Sequence, residues 1–96
     1  MKIKTKSGFA CNVNENKMKD RRFVKALAKC DSKDESIQLE GITFVVPFLF
    51  GEEGEQALIK HVEKDGVASA EDIFKEFSEV INLVSNELKK SRSSQA

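Results

Sequence analysis

A mainly α (α+β) domain, with an N-terminal β-hairpin packed on a bundle of three to four helices, is what this sequence predicts. Three observations carry it. Apolar side chains alternate with period two up to Val13 and recur in steps of three and four beyond it. The final third holds an amphipathic segment that is acidic at its start and basic at its end, the polarity a helix dipole favours. With 96 residues, 40% hydrophobic and 33% charged, the chain has enough apolar surface for one core under a heavily charged exterior and too little for two. One domain is therefore expected over residues 1–90, followed by a polar tail at 91–96.

Over the first thirteen residues Ile3, Thr5, Phe9, Cys11 and Val13 alternate with lysines and other polar positions. A two-residue turn at Ser7 and Gly8 would put Ile3 and Phe9 on opposite faces. A three-residue loop from Lys6 to Gly8 instead pairs Thr5 with Phe9 and Ile3 with Cys11, gathers the apolar residues on one face and puts Gly8 in a left-handed position. Such a hairpin is marginal alone, so its apolar face must lie on helices.

Asn14 and Asn16 are helix caps by type, and Met18, Phe23, Val24, Leu27 and Cys30 follow at helical spacing, which predicts a first helix over Glu15 to Cys30. Asp31 to Glu35 reads as a loop. From Ser36 to Phe50 the chain is almost continuously apolar; its length favours a buried helix, with a kink or restart expected at Pro47 because proline lacks the backbone donor. Gly51 ends that segment. Glu52, Glu53 and Glu55 then precede Leu58, Ile59 and Val62, with Lys60 and Lys64 towards the far end and Gly66 as a stop. In the last helix, from about Ala70 to Lys89, Ser69 and Asp72 have capping-box spacing and Phe74, Phe77, Ile81, Val84 and Leu88 form an apolar stripe. That stripe is the candidate protein-binding surface, although the same spacing serves a core equally well. Ser91 to Ala96 has nothing to bury and is expected to be disordered.

The net charge is zero, with 16 basic and 16 acidic residues, but the charges are segregated. Residues 1–35 hold ten basic and five acidic side chains, and residues 36–88 hold three and eleven. A dipolar chain of this kind pairs its ends internally or attracts a second copy or a charged partner. Nucleic acid is not the expected partner, because the basic 17–29 segment leads to no reading helix and acids dominate the rest. No membrane partner is expected either, since Phe44 to Phe50 is too short to span a bilayer and no secretory signal is visible. Cys11 and Cys30 lie far apart with no CxxC, which suits a reducing cytoplasm.

No catalytic chemistry is expected. His61 is the single histidine and sits among Lys60, Glu63 and Lys64 on a helix, where a surface role is ordinary. Glu52, Glu53 and Glu55 could ligate a hard cation, but acids in a first helical turn are what the dipole favours anyway. No phosphate-loop spacing occurs. Neither a metal nor a cofactor is expected.

The order of parts resembles a known family. Lys6-Ser7-Gly8-Phe9, then Asp20-Arg21-Arg22-Phe23-Val24-Lys25-Ala26-Leu27, then Phe48-Leu49-Phe50-Gly51-Glu52-Glu53 resemble the basic strand pair, aromatic-and-leucine helix and glycine-acidic junction of tail assembly chaperones from long-tailed phages and prophages of Gram-positive bacteria. The likeness continues through Gln56–Val62 and Gly66–Phe77 to Leu88-Lys89-Lys90-Ser91. Phe48 and Phe50 stand where leucines are commoner in the family, and Pro47 interrupts the segment before Gly51. The resemblance implies a cytoplasmic protein that coats the tape-measure protein, helps recruit tail tube subunits and is absent from the finished tail. It also implies a longer form made by ribosomal slipping near the end of the reading frame, where Lys89-Lys90 would be written in adenines. A small helical adaptor or inhibitor using the same amphipathic helix is the alternative, and self-association is compatible with both.

Overall fold

The computed structural model describes residues 1–95, and side-chain surroundings for 1–90. Strands β1 (Lys2–Lys4) and β2 (Ala10–Asn12) form the hairpin in the expected register, with Ile3 opposite Cys11. Thr5 N donates to Phe9 O at 2.9 Å and Gly8 N to Thr5 O at 3.0 Å, closing the three-residue loop with Gly8 at φ 101°. Ile3, Thr5, Phe9 and Val13 are buried on one face, which lies on the helices.

The first helix is shorter than its periodicity suggested. Glu15–Lys19 is a 3-10 turn, and the α-helix α1 runs over Arg21–Cys30. Asp20 separates them because its backbone is extended (φ −64°, ψ 132°) and its carboxylate accepts from Arg22 N at 2.8 Å, so a side chain takes the place of a helical carbonyl. Phe23, Ala26 and Cys30 face inward. Val24, read as part of the apolar face, points outward and is 53% exposed.

Helix α2 (Glu35–Val62) begins on the Asp34 cap and contains Pro47. The helix does not restart at the proline: the break in α2 falls at Gly51, whose φ 75° and ψ 174° lie in a region open essentially to glycine alone. Proline's own φ is helical, and Thr43, whose carbonyl it cannot serve, is exposed, so water can satisfy what the ring removes. Residues 35–50 and 52–62 are thus two helices meeting at a glycine. Lys17 Nζ reaches the Phe48 carbonyl at this junction, at 3.3 Å.

Residues 35–50 pack closely on α1. A Cβ at Gly41 would stand 2.5 Å from Ala26 O and 2.9 Å from Cys30 N, so only glycine permits this crossing. After residues 52–62 the chain reverses in a tight turn, with Lys64 and Val67 exchanging backbone hydrogen bonds and Asp65 and Gly66 both at positive φ.

Helix α3 (Ala70–Gln95) starts where Ser69 Oγ accepts from Asp72 N at 3.1 Å. It runs past the expected end near Lys89, so the backbone of 91–95, read from sequence as a disordered polar tail, continues the helix. Phe77, Val80 and Val84 enter the core beside Val45, Leu49 and Leu58. Phe50 joins hairpin to helix, its ring 5.9 Å from Phe9 and 5.8 Å from Phe77. Among the described residues no helix is long and apolar enough to cross a membrane.

Candidate partner-binding surface

The one histidine lies in a polar cluster that ties three separate parts of the chain. Thr5 Oγ1 donates to Glu76 Oε2 at 2.8 Å, Ser7 Oγ donates to the same carboxylate at 2.7 Å, and Ser7 Oγ lies 2.8 Å from His61 Nε2. A hydroxyl, an imidazole and a carboxylate together invite comparison with a nucleophilic triad, but the proton count opposes it. Ser7 has one proton and gives it to Glu76, so His61 Nε2 must donate to Ser7 instead of accepting from it. Glu76 also lies on the Nε2 side of the ring, at 3.8 Å, whereas a triad carboxylate holds the opposite nitrogen. The arrangement is a latch. Glu79, one turn further along α3, completes it by accepting from Lys6 N at 2.6 Å.

The predicted stripe on α3 is divided between two environments. Phe77 and Val84 are buried at 1% and 0% exposure and belong to the core, so they are not accessible to a partner in this fold. Phe74, Ile81 and Leu88 are half-buried at its margin. Phe74 is the most informative of the three, because it stands between two grooves. One, of about 240 Å³, is lined by Leu27, Cys30, Phe77 and Ile81. The other, of about 380 Å³, runs between the start of α2 and the start of α3, past Leu39, Ile42 and Ala70.

Sequence reasoning missed the second groove, yet a signal for it existed. Outside the polar stripe of Ser36, Glu40 and Thr43, residues 35–50 are apolar over more of the helix surface than one packing partner covers. Ile42, Val45, Val46 and Leu49 are covered by α1, α3 and the rest of the core, whereas Ile37, Leu39 and Phe44 remain 38%, 48% and 38% exposed. Phe44 is partly occupied by stacking on Phe48, whose ring also carries Arg22 at 5.4 Å. Leu39 has no such neighbour in the aromatic set and lines the groove directly.

Both cysteines are free thiols, and burial pushes each above the ordinary thiol range. Among the described residues no three carboxylate, thiol or imidazole groups gather as a metal site would require. Against protein-family models, curated proteins and solved structures alike, the chain has no match. The class that fold and surface define is a small hairpin-and-helix domain with an incompletely covered apolar helix.

Proposed function

We propose that this protein is a tail assembly chaperone of the long-tailed phage type, which binds helical segments of the tape-measure protein in the cytoplasm and helps recruit tail tube subunits. The reading rests on the resemblance that runs from Lys6-Ser7-Gly8-Phe9 to Leu88-Lys89-Lys90-Ser91. The observation that supports it best is the apolar surface left open around Leu39 and Phe74, because a chaperone for a long helical client needs an apolar groove within a charged, soluble exterior.

Such a surface holds an amphipathic helix by its i, i+3 and i+4 residues. The segregated charge serves the same task by keeping the free protein soluble while orienting the client. The decisive experiment is co-expression with the product of a long, helix-rich reading frame immediately downstream. The client is expected to become soluble and to co-purify with this protein; a client that is equally insoluble with and without it would sink the proposal. The coding DNA around Lys89 and Lys90 gives a second check, since a slippery adenine-rich heptamer with an overlapping frame shifted by minus one is expected there.

A further inference from the structure

We propose that the groove between the first half of α2 and the start of α3 is a docking site for an amphipathic helix whose apolar stripe is flanked by lysine and arginine. The inference deepens the chaperone reading, on which its biological setting rests, by naming the chemistry of the bound helix.

The groove's floor is Ile42 and Val46, both buried, and its walls are Leu39 and Phe74 with Ile59 and Ile73 towards the far end. Two depressions, of about 380 and 240 Å³, adjoin at Leu39, Ile42 and Ala70, which line both, and the proposed occupant fills the pair as one trough. It follows α2 from residue 35 to residue 46, roughly 17 Å at the helical rise, which matches about three turns of an occupant. Three turns present apolar residues at i, i+3, i+4 and i+7, enough for the four wall positions.

Charge selects the occupant. Glu35 stands at one end, Glu71 along one side and Glu55 at the other end, and among the described residues that line the trough there is no lysine or arginine. The N-termini of α2 and α3 also lie here, and their dipoles oppose a cation. Each such end carries only about half a charge, however, and Asp34 and Ser69 already cap these two. Three full carboxylates around an apolar floor therefore favour basic flanks and repel an acidic helix.

The test uses two synthetic helical peptides of roughly 18 residues, long enough for some helicity in isolation. Both carry leucine at the four stripe positions; one has lysine and arginine elsewhere, the other glutamate. Titration of each into the isotopically labelled full chain is followed by backbone amide shifts. The basic peptide is expected to bind one to one, to move the amides of Leu39, Ala70 and Phe74, and to weaken as salt rises. Leu39→Arg, at an exposed position that leaves the core intact, is expected to weaken it at least about tenfold, as is the pair Glu35→Lys with Glu71→Lys, whereas Glu63→Lys outside the trough is not. Equal binding of the acidic peptide, or shifts confined to the hairpin, would overturn the proposal. So would movement of the trough amides with protein concentration in the absence of peptide, which would make a second copy the occupant. Peptide binding without client solubilisation would remove the chaperone reading and leave the groove; client solubilisation unaffected by Leu39→Arg, with no peptide bound, would do the reverse.

Discussion

Gly41→Ala should destabilise the fold even though alanine is the better helix former. The added Cβ would lie 2.5 Å from Ala26 O, 2.9 Å from Cys30 N and 3.0 Å from Cys30 Sγ, while ordinary contact begins at 3.4 Å. Two of those three atoms are main chain, so no rotamer change relieves them, and α1 must retreat by about 0.9 Å (3.4 less 2.5). The retreat loosens Phe23, Ala26 and Cys30 against Ile42, Val45 and Val46, the most extensive contact between helices in the molecule. Overpacking of this kind costs about 3 kcal/mol at the upper end of its usual range, and the better helix propensity of alanine returns about 1 kcal/mol. The net loss is about 2 kcal/mol, which for a domain of this size lowers the melting temperature by roughly 8–16 °C. The chain has no tryptophan and no tyrosine, so urea unfolding is best followed by far-ultraviolet circular dichroism. A Gly41→Ala protein as stable as the native one would refute the close crossing of α1 and α2.

Three further outcomes follow from the same geometry. Glu76→Gln keeps the shape of the latch but removes the charge that Thr5 and Ser7 donate to, so a loss of about 1–2 kcal/mol is expected, with faster hydrogen exchange at Gly8 N before the helices are affected; unchanged exchange there would show that the loop is held by other means. Phe77→Ala should cost about 3–5 kcal/mol and leave little folded protein, whereas an exposed stripe residue would tolerate the change, so thermal denaturation decides whether Phe77 is core. Hydrogen bonds from Arg22 hold the Asp20 carboxyl at about 2, below its ordinary value of 3.8. Because the folded-state value is depressed, the stabilisation it contributes is fully present above pH 3.8 and is lost as pH falls through about 2. The Arg22 amide shift should accordingly titrate with a midpoint near 2, and a midpoint near 3.8 would mean that the cap is not formed.

Much of this architecture was legible in the chain because local rules have a single good solution there. Only the three-residue loop places Ile3 and Phe9 on one face, and the hairpin adopts it. Ser69 and Asp72 announce the start of α3, and the hydroxyl caps the amide. Pro47 misled because the loss of a single donor is cheap where Thr43 faces water, whereas the positive φ at Gly51 turns the whole helix. Asp20 divided the first helix because a carboxylate can outcompete a backbone carbonyl, a competition that periodicity does not register.

By itself, then, the sequence determined that hairpin and helices form, where most of them start, and which faces are apolar, since these depend on residues a few positions apart. What covers each face was decided only in three dimensions. Phe77 and Phe74 belong to one stripe, yet packing against Val45, Leu49 and Leu58 claims the first and leaves the second beside an open groove. The latch joins Ser7 to His61 and Glu76 across 54 and 69 residues, and no spacing rule reaches that far. Periodicity reports that a surface must be buried; the close approach of α1 to Gly41, and the turn at Gly51 that it leaves free, decide which part of that surface the chain buries itself.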